Sequence, residues 1–129
     1  MSTVRHQVLH IEDNELNRVL MRHLFKRAPH LELVEVDSAE AGFDHMVTEI
    51  PALILMDIQL PGMDGYAALQ LLRSKPETRH IPVIAISSFA LARDIEKGLK
   101  AGFDEYITKP IRVGALLDIV QSCLESKQR

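Results

Sequence analysis

The sequence predicts an α/β domain in which repeated βα units build a parallel sheet. Short apolar runs with β-branched residues alternate along the chain with longer segments of helical period, a pattern typical of βα repeats. The chain has 129 residues, of which 47% are hydrophobic and 26% are charged, the size and composition of one globular domain. We therefore expect a single domain over residues 1–129, with no room for a second folded domain.

Five short runs are predicted to form strands, at about residues 8–11, 33–36, 53–56, 83–87 and 105–108. Residues 53–56 and 83–86 are apolar at every position instead of alternating with polar residues. Such runs are typical of strands that helices cover on both faces of a sheet. The third and fourth strands are therefore predicted to be central.

Five helical segments are predicted to follow the strands. The first, at about residues 15–27, begins after Asn14, a favoured N-cap residue. The second begins at Ser38 and is stopped by Pro51, the third follows the turn at residues 61–65, and the fourth ends at Gly102. The apolar residues at helical spacing are, helix by helix, Leu16, Val19, Leu20 and Leu24; Phe43, Met46 and Ile50; Tyr66, Leu69 and Leu72; Leu91, Ile95 and Leu99; and Leu116, Ile119, Val120 and Cys123.

Composition excludes several classes of function. The 15 Lys and Arg and 18 Asp and Glu give a net charge of −3 and are scattered, so nucleic-acid binding is not expected. The longest apolar runs, residues 52–56 and 82–86, are far shorter than the roughly 20 residues of a membrane-spanning helix. The polar N-terminus shows no secretory signal, and the single Cys123 cannot form an intramolecular disulfide. We expect a cytoplasmic location and no membrane association.

Polar residues follow four of the predicted strands. Glu12 and Asp13 follow the first, Asp57 ends the third, Ser87 ends the fourth and Lys109 follows the fifth. Each has an ordinary structural explanation when taken alone, such as a solvated turn, a loop cap, a strand-end hydroxyl or a surface charge. Together they fall where an α/β sheet binds its ligand, outside the carboxyl ends of the strands.

Four segments carry a resemblance to a known family: Ile-Glu-Asp-Asn at 11–14, Leu-Met-Asp-Ile-Gln-Leu-Pro-Gly-Met-Asp-Gly at 55–65, Pro-Val-Ile-Ala-Ile-Ser at 82–87 and Tyr-Ile-Thr-Lys-Pro at 106–110. From about residue 4 to residue 124 the chain resembles CheY-like response-regulator receiver domains. It is most similar to single-domain regulators of the DivK type and to receivers attached to hybrid kinases. The resemblance implies a flavodoxin-like, doubly wound fold with strand order 2-1-3-4-5, which places the four strand ends in one cleft, and no output domain.

The resemblance also implies a function. Asp57 would accept a phosphoryl group from a histidine kinase or a histidine phosphotransfer protein, and the chain would be a signalling protein that catalyses only its own phosphorylation and dephosphorylation. Bringing a phosphoryl anion to a carboxylate requires a divalent cation and fixed positive charge. Mg2+, or Mn2+ in its place, would be held by Glu12, Asp13, Asp57 and the backbone carbonyl of Gln59. Lys109 and Ser87 would contact phosphoryl oxygens.

Further residues are assigned by the same resemblance. Ser87 and Tyr106 match the family's switch pair, although a half-buried strand tyrosine is the simpler alternative. Pro110 matches a position that commonly follows a cis peptide bond, against the alternative of a trans proline. Gln59 and Phe89 occupy positions that tune phosphoryl lifetime, and Ser88 stands where many receivers have Ala or Gly.

The expected output surface is the face of the fourth helix, fifth strand and fifth helix, around Phe89, Ala90, Tyr106 and Ile107. It would bind a downstream target protein, and the chain is expected to be a monomer. The alternative is that phosphorylation only rigidifies the cleft and that partners bind the first helix.

Two other functions share part of this residue pattern. A haloacid-dehalogenase-type phosphatase would also use Asp57, Ser87, Lys109 and Mg2+, but it normally needs an Asp where this chain has Gln59. It also needs a cap domain that 129 residues cannot hold. A flavin-binding flavodoxin needs a Ser/Thr/Gly-rich loop after the first strand, and Glu12 and Asp13 stand there instead. The six His residues are dispersed and include no His-x3-His pair on a predicted helix, since His6 and His10 are four apart but His10 lies in the predicted first strand.

Overall fold

Strands and helices alternate without exception along residues 5–127, the part of the chain that this computed structural model describes. The elements are β1 (His6–Ile11), α1 (Glu15–Phe25), β2 (Leu31–Val36), α2 (Ala39–Thr48), β3 (Leu53–Asp57), α3 (Gly65–Ser74), β4 (Val83–Ser87), α4 (Ala92–Ala101), β5 (Glu105–Thr108) and α5 (Val113–Lys127). Each predicted strand and helix is therefore present, with ends that differ by a few residues.

The five strands form one parallel sheet in the order β2-β1-β3-β4-β5. Every residue of β3 and of β4 is buried, which confirms that the two uniformly apolar runs are the central strands. In the register of the sheet, Asp57 pairs with Ile86 and Ser87 pairs with Thr108. The carboxyl ends of β1, β3, β4 and β5 consequently lie next to one another along one edge.

Helices cover both faces of the sheet and enclose two cores. One core joins α1 and α5 to the sheet and includes Met21, Phe25 and Leu116. The other joins α2 and α3 to the opposite face and includes Met46 and Leu69. This doubly wound arrangement confirms the predicted fold class.

The apolar stripe predicted for α1 is wrong in part. Leu16 is 66% exposed and Leu20 is 53% exposed, whereas Met21 and Phe25 are the residues of α1 that are buried against the sheet. A helix turns by about 100° per residue, so Leu16 and Met21 lie on different sides of α1. The apolar arc of this helix is wider than its contact with the sheet, and only the packing decides which part is buried.

Three other predicted apolar positions lie outside the core. α2 ends at Thr48, so Ile50 is outside the helix and 45% exposed. Its neighbour Pro51 explains the early end, because the residue before a proline is driven to extended backbone. Leu91, the residue before α4, and Leu99 of α4 are exposed, and the residue of α4 that is buried against the domain is Gly98.

The caps of the helices follow the sequence prediction closely. Asn14 and Ser38 are N-caps whose side chains accept hydrogen bonds from the backbone N–H groups of Asn17 and Ala41. α4 ends at Gly102, which has a φ of 117°, a left-handed conformation that favours glycine. Capping is local chemistry, which is why the sequence predicts it well.

Candidate functional site

The carboxyl edge of the sheet brings together the acidic and basic residues that follow the strands. One carboxylate oxygen from each of Glu12, Asp13 and Asp57 lies within 4.8 Å of the other two. Lys109 Nζ lies 2.9 Å from Asp57 Oδ2 and 3.3 Å from Glu12 Oε1. Three carboxylates and one ammonium therefore share a single cleft, in which Asp57 contacts the lysine directly.

The charges in this cleft are unequally exposed. Glu12 is 2% exposed and Asp57 is 3% exposed, whereas Asp13 faces solvent. Burial, with the neighbouring charge of Asp57, raises the pKa of Glu12 to about 7. Burial alone would lower the pKa of Lys109, but its bonds to Asp57 and the charges of both acids outweigh it and raise that pKa. The cleft thus holds a protonated lysine and an excess of carboxylate oxygens, a donor set that suits a hard divalent cation.

Glu12 is held in place by the first turns of α1. Its carboxylate accepts hydrogen bonds from the Asn14 backbone N–H and the Asn17 side-chain amide, each at 3.2 Å. Arg18 Nη1 donates to the Glu12 backbone carbonyl at 2.7 Å. Neither Asn17 nor Arg18 is expected at the site from the sequence. The available signal is their position one helical turn after the acidic pair.

Asp57 is fixed from two sides. Its Oδ1 accepts a hydrogen bond from the Gln59 backbone N–H at 2.9 Å, and its Oδ2 accepts one from Lys109. The loop after Asp57 is folded tightly, because the Gly65 N–H donates to the Ile58 carbonyl at 3.0 Å. A Cβ at Gly65 would lie 2.8 Å from Ile58 Cα, so this approach of α3 to the strand end requires glycine.

Ser87 is fully buried at the end of β4. Its Oγ accepts hydrogen bonds from Gln59 Nε2 at 2.9 Å and from the Phe89 backbone N–H at 3.0 Å. Ser88 and Phe89, the next two residues, are exposed. The loop after β4 therefore begins with a hydroxyl that is tied both to its own backbone and to the loop after β3.

Tyr106 connects this loop to α4. Its hydroxyl donates to the Phe89 backbone carbonyl at 2.7 Å, and its ring is half-buried. A Cβ at Gly98 would lie 2.6 Å from the Tyr106 ring, so the ring packs directly on the backbone of α4. After β5, the Lys109–Pro110 peptide bond is cis.

Among residues 5–127, no histidine belongs to the cluster of carboxylates in the cleft. His10 Nδ1 is 2.8 Å from Glu35 Oε2, and His45 Nε2 is 2.8 Å from Gln7 Oε1. Neither residue is part of the cluster of Glu12, Asp13 and Asp57. No helix between residues 5 and 127 combines the length and the apolar character needed to cross a membrane.

Comparisons with known proteins agree with this geometry. The "Polar-differentiation response regulator DivK" of Brucella ovis is 39% identical over 117 residues, which cover 91% of this chain and 94% of that protein. The receiver domain of a sensor histidine kinase from Pseudomonas aeruginosa PAO1, solved with a magnesium ion coordinated in its active site cleft, is 29% identical. It matches with a TM-score of 0.84 over 95% of this chain and 99% of that chain.

A receiver domain of a histidine kinase from Syntrophus aciditrophicus is similar to the same extent. It is 28% identical, with a TM-score of 0.86 over 96% of this chain and 93% of that chain. The profile of the family described as "Response regulator receiver domain" matches residues 8–121. Receivers act in two-component signalling, in which they interact with histidine kinases or phosphotransfer proteins. Since the family profile and the DivK relative both cover most of its length, this chain belongs to the response regulator receiver domain family.

Proposed function

We propose that Asp57 accepts a phosphoryl group from the phosphohistidine of a kinase or a phosphotransfer protein. The observation that carries this proposal is the contact of the buried Asp57 carboxylate with Lys109 at 2.9 Å, beside Glu12 and Asp13. In the reaction an Asp57 carboxylate oxygen forms a bond to phosphorus, the phosphorus–nitrogen bond to the donor imidazole breaks, and the imidazole leaves with that electron pair. The product is an acyl phosphate on Asp57.

The residues of the cleft fit a divalent cation. Glu12, Asp13 and Asp57 present oxygens within 4.8 Å of one another, and Mg2+ prefers oxygen ligands. We assign the backbone carbonyl of Gln59 as a further ligand, and Mn2+ as a possible substitute for Mg2+. The bound ion would neutralise carboxylate charge, so that a phosphoryl anion can approach Asp57.

Lys109 and Ser87 are proposed to stabilise the transferred group. The Lys109 ammonium is held next to Asp57 by two carboxylates, and its raised pKa keeps it protonated at neutral pH. Its charge can pair with a phosphoryl oxygen, and the Ser87 hydroxyl can donate to another. These contacts place fixed positive charge where the negative charge of the phosphoryl group develops.

The phosphodonor is proposed to dock beside α1. A cavity of about 390 Å3 opens between α1 and the segment after β5, and Glu12, Leu20, Leu24, Lys109 and Ile111 are among the residues that line it. The cavity is mostly apolar, although Asn17 and His23 of α1 also line it, and it reaches two residues of the cleft. An apolar surface beside the acceptor suits a protein donor that must bring a phosphohistidine to Asp57.

The first test of this function is phosphorylation by a small donor. Incubation with acetyl phosphate and Mg2+ is expected to add one phosphoryl group to the intact protein, measured by mass spectrometry. The same incubation with a chelator in place of Mg2+ should leave the mass unchanged, because the cleft then carries uncompensated negative charge. Equal labelling with and without the metal would contradict the proposal. A transfer profile against purified histidine kinases would then identify the natural donor.

We further propose that the chain signals by binding a target protein. Phe89, Leu91 and Leu99 expose apolar side chains on and beside α4. Phe89 bonds to both Ser87 and Tyr106, so a change at Ser87 can be transmitted to this surface. A coupling free energy of about 1 to 3 kcal/mol between phosphorylation and target binding would change target affinity about 5- to 150-fold.

The second test maps this switch. Addition of the phosphate mimic beryllofluoride with Mg2+ is expected to shift NMR signals of Ser87, Tyr106 and residues of α4 as well as those of the cleft. The physical reason is the shared contact through Phe89. Shifts that stay within the loops after β1 and β3, or that spread along α1 instead of α4, would contradict the assignment of this output surface.

A further inference from the structure

We infer that the side-chain amide of Gln59 is a positioning group that orients the Ser87 hydroxyl toward the phosphoryl group on Asp57. This inference rests on the proposed function and extends it to a residue that does not itself bond to the transferred group. The juxtaposition that suggests it is the hydrogen bond from Gln59 Nε2 to Ser87 Oγ, at 2.9 Å, between the loops that follow β3 and β4.

The hydrogen-bonding capacity of a serine hydroxyl is limited. Such a hydroxyl has two acceptor lone pairs and one proton to donate. Both acceptor positions of Ser87 Oγ are used, one by Gln59 Nε2 and the other by the Phe89 backbone N–H at 3.0 Å. The hydroxyl can then form a further hydrogen bond only by donating its proton. Because a phosphoryl oxygen is an acceptor, the two hydrogen bonds that Ser87 Oγ accepts leave its hydroxyl as the donor that a phosphoryl oxygen requires.

The backbone of Gln59 contacts the acceptor carboxylate. The same residue donates its backbone N–H to Asp57 Oδ1 at 2.9 Å, so its position is set by the acceptor carboxylate itself. Its side chain then reaches from the end of β3 to the end of β4, where Ser87 is fully buried. Gln59 thus couples the carboxylate that would carry the phosphoryl group to the hydroxyl that would bind it.

A different side chain at position 59 would change the hydrogen bonding of the Ser87 hydroxyl. An apolar chain of similar length, as in Gln59→Met, frees one lone pair of Ser87 and allows its hydroxyl to rotate away. A carboxylate, as in Gln59→Glu, can only accept, so it would draw the Ser87 proton toward itself and away from the phosphoryl oxygen. We expect the first change to weaken binding of the phosphate mimic about 2- to 10-fold, the range of one hydrogen bond, and the second to weaken it more.

A double-mutant cycle tests the inference. The parent, Gln59→Met, Ser87→Ala and the double variant are titrated with beryllofluoride at saturating Mg2+, with binding followed by NMR. If Gln59 acts through Ser87, Gln59→Met weakens binding in the parent and has no further effect in the Ser87→Ala background. Equal effects in both backgrounds would overturn the inference, because a residue that only shields the cleft from water does not need Ser87. Gln70→Met, a change at an exposed glutamine of α3, is the matched control and should leave binding unchanged.

Two further measurements separate this role from a purely structural one. In the protein without ligand, Gln59→Met should shift the Phe89 amide signal, because Phe89 shares the Ser87 oxygen with Gln59. Binding by Gln59→Glu that equals binding by the parent would show that the residue accepts the Ser87 proton, which also overturns the inference. If the parent protein neither binds beryllofluoride nor accepts phosphate, the proposed function itself is refuted. If the parent binds beryllofluoride and the effects of Gln59→Met and Ser87→Ala are additive, only the role of Gln59 is refuted.

Discussion

Replacement of Asp57 by Asn is expected to abolish phosphorylation completely. The amide that replaces the carboxylate would keep the size of the side chain, but it lacks the anionic oxygen that must form the bond to phosphorus. Asp57 is also the carboxylate that Lys109 contacts at 2.9 Å, at the centre of the three acidic groups. The variant therefore loses both the nucleophile and part of the charge that would bind Mg2+.

The experiment compares intact masses after incubation with acetyl phosphate and Mg2+. The matched control is Asp64→Asn, which changes an exposed Asp that caps α3 by accepting a hydrogen bond from the Ala67 N–H. Asn is as good an N-cap as Asp, so this variant should fold and be labelled like the parent. Labelling of Asp57→Asn at the level of Asp64→Asn would show that another residue accepts the phosphoryl group.

The second large effect is expected in the pH dependence of Mg2+ binding. Because the pKa of Glu12 is raised to about 7, the carboxyl is mostly protonated at pH 6 and mostly ionised at pH 8. The proton must leave before Glu12 can bind a cation, so apparent Mg2+ affinity should fall about tenfold from pH 8 to pH 6. For the metal-free fold the sign is the opposite: because burial raises the pKa of Glu12 from 4.5 to about 7, the protonated carboxyl favours the folded state below pH 4.5, and this stabilisation is lost as the pH rises to about 7.

Calorimetry or an NMR titration measures this binding, since the chain has no Trp for a fluorescence assay. In Glu12→Gln the difference between pH 6 and pH 8 should disappear, and Asp13→Ala should bind Mg2+ markedly more weakly at both values. Asp37→Asn, a change at an exposed Asp just after β2, serves as the control and should bind like the parent. Affinity that is independent of pH in the parent, or unchanged by both cleft substitutions, would contradict the assigned ligands.

The sheet could be predicted well because its central strands are recognisable from short, continuous stretches of sequence. Residues 53–56 and 83–86 are apolar at each position, and a strand of this kind is stable only when both of its faces are covered. The positions of the acidic pair, Asp57, Ser87 and Lys109 at strand ends follow from the same assignment. Asn14 and Ser38 cap their helices through hydrogen bonds that span three residues, so the sequence alone predicts them.

The packing of α1 and α4 could not be predicted in the same way. The pattern of α1 is apolar over a wide arc, and the tertiary structure buries Met21 and Phe25 while Leu16 and Leu20 face solvent. On α4 the contact with the domain is made through Gly98, which has no side chain and so gives no apolar signal. A periodicity identifies a helix, but the neighbouring elements decide which side of it is covered.

Some features of the cleft follow from the sequence and others only from the tertiary structure. The sequence by itself determined which residues carry charge and hydroxyl groups at the strand ends, because strand assignment fixes those positions. Only the tertiary structure decided that the Gln59 amide bonds to Ser87, which lies 28 residues later, and that Glu12 is buried beside Asp57 with a raised pKa. Distances between side chains and their exposure to water depend on how β1, β3 and β4 are paired, and this pairing is non-local.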